Sequence, residues 1–372
     1  MKYIDTGNWV SIINLDNEVT STHEGRLLNL SKNLVDNRRK ALILDFSSVS
    51  LLDNTGINAL VKLHAYTRTK GTRLLATGLS DTYKDVFAIT GIDKGFSVCN
   101  SVSKVYIAAG INDKTTAKNV RDKLSLNSRT KALDADFWVG PIRKLKTDST
   151  MGNPVDLNVN GRYTAGPIQG FGQLWEKTYR LDLSDTKLRP IKIINILKSN
   201  FPKFQPPENR FFPSSGGIKP GEIVLINADT PGGLVATGVL VLYASKDTFT
   251  FITPQGHPEA GWVNFKSFEE SGHVIIQIQG LARASDPIYE IAFRVAGSNL
   301  QRQIWTHVLE SLAKYTGSSA QVQFKAQCID SSLQWSRFFN VFQNAQISSI
   351  MYSISHPSTN SKQPRKSGNN IG

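Results

Sequence analysis

The chain has 372 residues, of which 40% are hydrophobic and 20% charged, which is typical of a globular protein large enough for two domains. No apolar run approaches the roughly 20 residues of a membrane-spanning helix, so a transmembrane segment is not expected. The net charge of +13 is spread thinly and forms no basic stripe between aromatic residues, which argues against specific nucleic-acid binding.

Signals for secretion, disulfides and metals are also missing from the sequence. The first ten residues lack the apolar segment of a secretory signal, which favours a cytoplasmic location. Two cysteines, Cys99 and Cys328, are too few for a disulfide framework or a cysteine metal cluster, and each is expected to be buried. No zincin, P-loop or nucleophile-elbow motif occurs, so neither a metal nor a cofactor is predicted.

Strands and helices alternate through the first 110 residues. Residues 3–15 alternate polar and apolar side chains about the turn pair Gly7-Asn8, which predicts a β-hairpin. Apolar runs predict further strands at residues 41–46, 73–76 and 96–99. Apolar residues at helical spacing predict four helices, at residues 20–40, 56–70, 82–88 and 102–109. This order predicts an α/β domain with a small mixed sheet and helices packed against it.

The loop formed by Asp53, Asn54, Thr55 and Gly56 joins a buried strand to the central helix. Its first three residues suit a helix N-cap, and Gly56 permits a sharp entry into the helix. Short polar side chains and free backbone N–H groups then meet at the positive end of the helix dipole. This loop is therefore a natural place for an anionic group to dock or to be attached.

The residues around this loop resemble the STAS domain, the fold of bacterial anti-sigma factor antagonists and of the cytoplasmic tails of sulfate transporters. The matching residues are Asp45-Phe46-Ser47, Val49, Leu52, Asp53-Asn54-Thr55-Gly56-Ile57 and Ala59-Leu60. The resemblance covers residues 1–110. It implies that the loop and the helix after it bind a protein partner of the anti-sigma factor or serine-kinase type.

Asn54 departs from the family pattern. In the antagonists the residue after the aspartate is a serine or threonine that a partner kinase phosphorylates, and Asn54 has no hydroxyl. The resemblance therefore implies a site that behaves as permanently unphosphorylated, with Thr55 as the alternative acceptor.

A polar, basic segment at residues 111–136 is predicted to be a domain linker, and residues 356–372 are predicted to be a disordered tail. Between them, residues 137–355 form the second predicted domain. Its predicted strands lie at residues 161–165, 222–227, 238–244, 248–253, 263–268 and 274–282. Its predicted helices lie at residues 171–181, 191–201 and 288–315, with a loop at residues 202–213.

This order of elements is typical of an α+β helix-grip domain, in which a curved antiparallel sheet surrounds a long C-terminal helix. The stretch from Thr253 to Gly261, together with Phe265, resembles a G-T-L-P-G-H-P-E-A-G motif of an uncharacterised bacterial and plant family in the SRPBCC, or START-like, superfamily. Residues 281–284 and the pair Arg302-Gln303 extend the resemblance over residues 140–317. Trp262-Val263 replaces an acidic pair of that family.

His257 and Glu259 lie in the motif loop and could act as an acid–base pair. A histidine between Gly256 and Pro258 is equally suited to capping a hairpin.

Arg283 could clamp a carboxylate or phosphate inside the grip, or form a structural salt bridge to Asp286 or Glu290. Three aromatic residues could be core side chains or could line an apolar ligand pocket of the kind the superfamily resemblance implies: Phe251, Trp262 and Trp305.

Together these patterns predict a cytoplasmic, non-enzymatic regulatory protein, in which the STAS domain binds a protein partner and the helix-grip domain binds a small apolar ligand. The residues predicted for that ligand pocket are Phe251, His257, Arg283 and Trp305. One alternative is an SRPBCC-type enzyme that acts on a hydrophobic substrate through His257, Glu259 and Arg283. A second alternative is a membrane-peripheral adaptor.

Overall fold

The computed structural model describes residues 1–5, 9–37, 39–124, 130–147 and 158–355. Two sheets organise them, one of five strands in the first half of the chain and one of eight strands in the second half. The predicted turn at Gly7-Asn8 and the tail at residues 356–372 lie outside the described residues.

The five-stranded sheet is mixed, as the sequence predicts. Strands β1 and β2 pair antiparallel and confirm the hairpin, and the remaining neighbours are parallel. Along the sheet the order is β1-β2-β4-β6-β7, and β3 pairs separately with β5. The strands are β1 (Lys2–Asp5), β2 (Val10–Asn14), β3 (Glu18–Val19), β4 (Ala41–Asp45), β5 (Leu51–Leu52), β6 (Arg73–Thr77) and β7 (Ser97–Cys99).

Helices cover both faces of this sheet. One face packs on α1 (Ser21–Asp36), α2 (Gly56–Thr69) and α3 (Asp81–Thr90). The other face packs on α4 (Val102–Ala109) and α5 (Lys114–Lys123).

Helix α5 lies inside the segment predicted as a linker. The Asp113 carboxylate caps it by accepting a hydrogen bond of 2.7 Å from the Thr116 N–H, and Val120 is fully buried against the sheet. This part of the segment therefore belongs to the first domain.

The eight-stranded sheet is antiparallel throughout and curves around two helices, α6 (Pro190–Asn200) and α8 (Ser298–Thr316), which defines a helix-grip fold. Its spatial order is β15-β8-β14-β13-β12-β11-β10-β9. The strands are β8 (Leu174–Asp182), β9 (Asn209–Pro213), β10 (Ile223–Thr230), β11 (Gly233–Ala244), β12 (Thr248–Ile252), β13 (Glu259–Glu270), β14 (His273–Ala284) and β15 (Gln323–Asp330).

Two predictions at the start of this domain are wrong. Residues 171–181, predicted as a helix, form most of strand β8, because β14 and β15 supply backbone partners along both of its edges. Tertiary pairing here outweighs a local apolar spacing that also fits a helix. Residues 161–165, predicted as a strand, make only one bridge, between Thr164 and Pro254.

The predicted long helix at residues 288–315 is interrupted. It consists of α7 (Pro287–Ala292), a π-helical turn (Phe293–Gly297) and α8. Strand β9 occupies a segment predicted as a loop.

The last three elements of the described chain were not predicted from the sequence: β15, a 3₁₀ segment (Trp335–Gln343) and α9 (Ala345–Ser355). Cys328 lies on β15, the edge strand, and is exposed, so its predicted burial is wrong, whereas Cys99 is buried as predicted.

The two domains share one apolar core. Side chains from the convex face of the eight-stranded sheet, including Leu240, Trp262 and Leu281, pack with those of α2 and α3. Trp138 ties the connecting segment to this core, since its indole Nε1 donates to Leu52 O at 3.1 Å and to Asp134 Oδ2 at 2.9 Å. The eight-stranded sheet is therefore covered on both faces. Within the described residues no helix is both long and apolar enough to cross a bilayer.

We expect Gly56→Ala to destabilise the protein by about 1–3 kcal/mol, the usual cost of overpacking a core. A Cβ atom at Gly56 would lie 2.1 Å from the Val19 carbonyl oxygen, so β3 or the start of α2 would have to move. Urea unfolding followed by circular dichroism measures the loss.

Gly25→Ala in α1 is the matched control, because nothing lies within 4 Å of the added methyl group. There alanine should stabilise the helix by about 0.5–1 kcal/mol. Equal stability of Gly56→Ala and the unmodified protein would contradict the close approach described here.

Candidate functional site

The loop predicted to bind an anion is already occupied by its own carboxylate. Asp53 Oδ1 accepts hydrogen bonds from the Thr55 N–H at 3.0 Å, the Gly56 N–H at 2.8 Å and the Thr55 hydroxyl at 2.6 Å. Burial raises the pKa of Asp53, although these hydrogen bonds work in the opposite direction. The positive end of α2 therefore meets a side chain of the same loop.

Asn54 lies fully buried between the two domains. Its amide Nδ2 donates to the hydroxyls of Thr248, at 2.9 Å, and Thr250, at 2.8 Å, both on β12. Its backbone carbonyl accepts a 3.3 Å hydrogen bond from Asn264 on β13. The residue at the phosphoacceptor position of the STAS pattern thus binds the convex face of the helix-grip sheet.

Asn58 continues this contact one turn further along α2. Its Oδ1 accepts a 2.7 Å hydrogen bond from the Trp262 indole, and its Nδ2 donates to Gln279 Oε1 at 3.2 Å. Gln279 in turn donates to Glu176 at 2.9 Å. A chain of hydrogen bonds therefore runs from α2 across three neighbouring strands of the sheet.

Lys62 and Arg68 extend the contact between α2 and the sheet with ion pairs. Lys62 Nζ lies 2.5 Å from carboxylate oxygens of both Glu24 and Glu176. Burial alone would lower the pKa of Lys62, but these two carboxylates outweigh it and raise the pKa. Arg68 pairs with Asp330 of β15 at 2.8 Å.

Arg283 lies in this interface and outside the ligand cavity described below, so its assignment to the ligand pocket is wrong. Its side chain is buried and pairs with Asp330 at 2.5 Å, and it donates to Gly172 O at 2.7 Å. Burial favours the protonated form of Asp330, but hydrogen bonds from Ser332 and Arg283 outweigh that effect and lower its pKa to about 2. The predicted structural role of Arg283 holds with Asp330 as the partner, not Asp286 or Glu290.

A cavity of about 200 Å³ lies on the opposite, concave face of the sheet, between the strands and α8. Most of its lining is apolar, and Phe251, His257 and Trp305 of the predicted set all line it. Phe251 and Trp305 also pack around Phe265 with ring centroids 5.5 and 5.4 Å apart. They therefore belong to the core and to the cavity wall at once.

A few polar groups break the apolar lining. Gln301 of α8 donates to Glu259 at 2.7 Å and accepts from Lys177 of β8, and all three residues line the cavity. Burial raises the pKa of Glu259. Thr237 also lines the cavity, and among the described residues its buried hydroxyl has no hydrogen-bond partner.

His257 is bound to its own loop. Its Nδ1 lies 3.0 Å from both the backbone nitrogen and the backbone oxygen of Glu259. Burial lowers the pKa of His257 to about 4, so the ring is neutral near pH 7. This geometry matches the hairpin-capping interpretation, and the side chains of His257, Glu259 and Arg283 do not converge on one point.

The family model of the STAS domain matches residues 4–105 of this chain. The N-terminal domain is therefore a STAS domain. Among solved structures, the anti-sigma factor antagonist SpoIIAA in its unphosphorylated form is 14% identical, covers 28% of this chain and 93% of its own, and gives a TM-score of 0.25. The phosphorylated form, described as a Bacillus cell fate determinant, is 15% identical, covers 28% of this chain and 95% of its own, with a TM-score of 0.24.

The second domain is similar to other solved structures. The di-domain ARO/CYC protein StfQ from the steffimycin biosynthetic pathway is 11% identical over 39% of this chain, with a TM-score of 0.32. The match spans 51% of the length of StfQ. The protein Ms6760 from Mycobacterium smegmatis is 12% identical, covers 38% of this chain and 89% of its own, with a TM-score of 0.29.

Sequence patterns did not indicate the partners of Asn54 on β12 and β13, nor four further interface residues: Asn58 and Arg68 on α2, Glu176 on β8 and Asp330 on β15. A signal exists for part of this interface, because Asn54, Asn58 and Lys62 stand four residues apart and continue one polar face from the loop into the first half of α2. Asn54 and Trp262, the two departures from the family patterns, both lie in the interface.

Replacing Arg283 by Met should cost about 1.5–3 kcal/mol, because Asp330 and the Gly172 carbonyl lose a buried charged donor while Arg68 still pairs with Asp330. The exposed pair of Arg210 and Asp229, 3.5 Å apart, offers a matched control. Arg210→Met should cost about 1 kcal/mol or less. Both values come from urea unfolding, and similar losses in the two variants would contradict the structural role of the Arg283 ion pair.

His64 and His257 should both titrate near pH 4, well below the usual 6.5, because burial is the main cause that lowers each pKa. Between these pH values the unfolded chain binds more protons than the folded protein, so both histidines lower the stability as the pH falls from about 6.5 to about 4. NMR titration of the ring protons checks this. A midpoint near 6.5 for either ring would show that it is solvated.

Proposed function

We propose that this chain is a non-enzymatic regulatory protein, in which the helix-grip domain binds a small, mainly apolar ligand and controls the partner-binding surface of the STAS domain. The ligand lies in the cavity between the sheet and α8. The controlled surface is the loop from Asp53 to Gly56 together with the side of α2 that the helix-grip sheet covers.

One observation carries this proposal: adjacent residues of β12 serve the two sites. Thr250 accepts the hydrogen bond from Asn54 on the convex face, and Phe251 lines the cavity on the concave face. A change in the curvature of β12 on ligand binding would therefore act on both faces of the same strand. Interior packing transmits such displacements because it leaves little free volume.

The covered loop also explains how a partner would be controlled. Asn54 is fully buried, and Thr55 is buried with its hydroxyl bound to Asp53. A partner protein of the type implied by the STAS family, or a kinase acting on Thr55, has to displace the sheet before it reaches this loop. The sheet is thus an internal competitor for the STAS surface.

The cavity sets the class of ligand. Its volume of about 200 Å³ is below the about 300–1,000 Å³ typical of drug-sized ligands, so the ligand is small or only partly enclosed. Its lining favours an apolar body, and two separate polar contacts are available to the ligand: the Thr237 hydroxyl on β11 and the Lys177–Gln301–Glu259 group beside β8 and α8. The alternative of an enzyme is less favoured, since Arg283 lies outside the cavity.

Filling the cavity should abolish ligand binding without unfolding the domain. Gly280 lines the cavity, and an added Cβ there would meet nothing within 4 Å, so Gly280→Leu should place its side chain in the empty space. With cis-parinaric acid as a fluorescent apolar probe, we expect the dissociation constant to rise by about tenfold or more.

Gly140→Leu is the matched control, because Gly140 is exposed and also has nothing within 4 Å of its Cβ position. It should leave the affinity for the probe unchanged. Unchanged affinity in Gly280→Leu, with the fold confirmed by circular dichroism, would exclude the cavity as the binding site.

Asn54→Asp should loosen the contact between the domains. The substitution removes a donor to two hydroxyls and puts a carboxylate in a buried position beside Asp53. We expect faster hydrogen exchange in β12 and in the first turns of α2 near pH 7. Protection should return at acidic pH, because a buried carboxyl has a raised pKa and is readily protonated.

Asn33→Asp on the exposed surface of α1 is the control and should change exchange only locally. If Asn54→Asp leaves the protection of β12 intact, the loop does not hold the two domains together and the proposed control mechanism fails.

A further inference from the structure

The last helix of the described chain is attached to the protein by its polar side. In α9 the buried residues are Ala345 and Ser349, and Asn158 donates to Ala345 O at 3.2 Å and to Ser349 Oγ at 3.1 Å. Just before the helix, Asn344 donates to Asp286 at 2.8 Å. Hydrogen bonds therefore hold α9 where apolar packing would be usual.

The apolar side of α9 faces outward. Its large apolar residues recur at the i, i+3, i+4 and i+7 spacing of one helix face, and they are between 40% and 70% exposed: Ile347, Ile350, Met351 and Ile354. A helix in a globular protein normally buries such a face. In the described part of the chain this face is left uncovered.

The 3₁₀ segment before α9 adds aromatic rings to this surface. Four of its aromatic residues are exposed, and each ring lies within 6.5 Å of the next along the segment: Trp335, Phe338, Phe339 and Phe342. The 3₁₀ segment ends one residue before α9, and we call these four rings and the four residues of α9 the C-terminal apolar surface. Large exposed apolar surfaces mark sites of interaction with proteins or membranes.

Charge identifies the occupant. The sequence from Ser331 to Gly372 contains no aspartate or glutamate, and it carries four basic residues, Arg337, Lys362, Arg365 and Lys366. A second copy of the chain would bring the same positive charge to a two-fold contact through its C-terminal part, which disfavours a dimer there. An anionic lipid surface attracts the same charges and accepts Trp, Phe and Ile side chains at its interface.

We propose that the C-terminal apolar surface docks on anionic lipid bilayers. The aromatic residues and the apolar face of α9 insert at the level of the headgroups, and the net positive charge of this part of the sequence favours negative lipids. The surface adjoins the ligand cavity, since Gln346 of α9 donates at 3.1 Å to Thr230, which lines the cavity. Docking does not depend on the cavity being a ligand site.

Flotation of the full chain with lipid vesicles tests the proposal. The protein should float with vesicles of phosphatidylcholine and phosphatidylglycerol in equal parts, and much less with pure phosphatidylcholine. Raising the salt concentration should weaken binding without abolishing it, since the apolar part is not screened. In the double variant Phe339→Ser, Phe342→Ser the affinity for the anionic vesicles should fall by about tenfold or more.

The control is the double variant Ile107→Ser, Leu133→Ser. Ile107 and Leu133 are 81% and 73% exposed, as much as the two phenylalanines, and they lie outside the C-terminal apolar surface. This control variant should float like the unmodified protein. All four substituted side chains are exposed, so thermal stability should stay the same and folding is not in question.

Two results would overturn the proposal. One is a flotation result: either the unmodified protein does not float, or the double variant Phe339→Ser, Phe342→Ser floats as well as the unmodified protein does. The other is a dimer in light scattering that the same double variant converts to a monomer while neither protein binds vesicles, which would assign the surface to a second copy of the chain.

Discussion

The hydrogen bonds from Asn54 to two threonines of β12 fix how the domains of this protein meet. The surrounding contact is apolar and would tolerate small shifts, but a buried amide that leaves its acceptors is costly. Asn58 and Trp262 repeat the constraint one turn further on. The apolar core thus supplies most of the attraction, whereas the buried polar pairs specify one register between α2 and the sheet.

The same hydrogen bonds give a physical reason for asparagine at the phosphoacceptor position. A serine or threonine hydroxyl has one proton to donate, whereas the amide Nδ2 donates two and meets Thr248 and Thr250 together. The side chain that has no hydroxyl to phosphorylate is thus the one that joins the domains. A position that serves as a switch in the antagonists has here become part of a structural contact.

Local sequence patterns predicted much of the fold and little of the site. The mixed sheet, the loop before α2 and most strands of the helix grip follow from periodicity and turn chemistry, which are local. Strand β8 was predicted as a helix because its pairing with β14 and β15 involves residues about 100 positions away or more. Arg283 was assigned to the ligand pocket for the same reason, since nothing nearby in the sequence indicates Asp330. The family departures at Asn54 and Trp262 are visible in the sequence, but only the structure shows that these two distant residues lie in one interface.

The ion pair between Arg68 and Asp330 joins residues 262 positions apart, which has a consequence for the order of events on the ribosome. The STAS domain emerges first, and its α2 surface is not fully covered until β15 has been synthesised. At the usual elongation rate of about 5–20 residues per second, this interval is roughly 13–50 s. Each newly made chain therefore passes through a period in which the surface that the mature protein covers is open to other proteins in the cell.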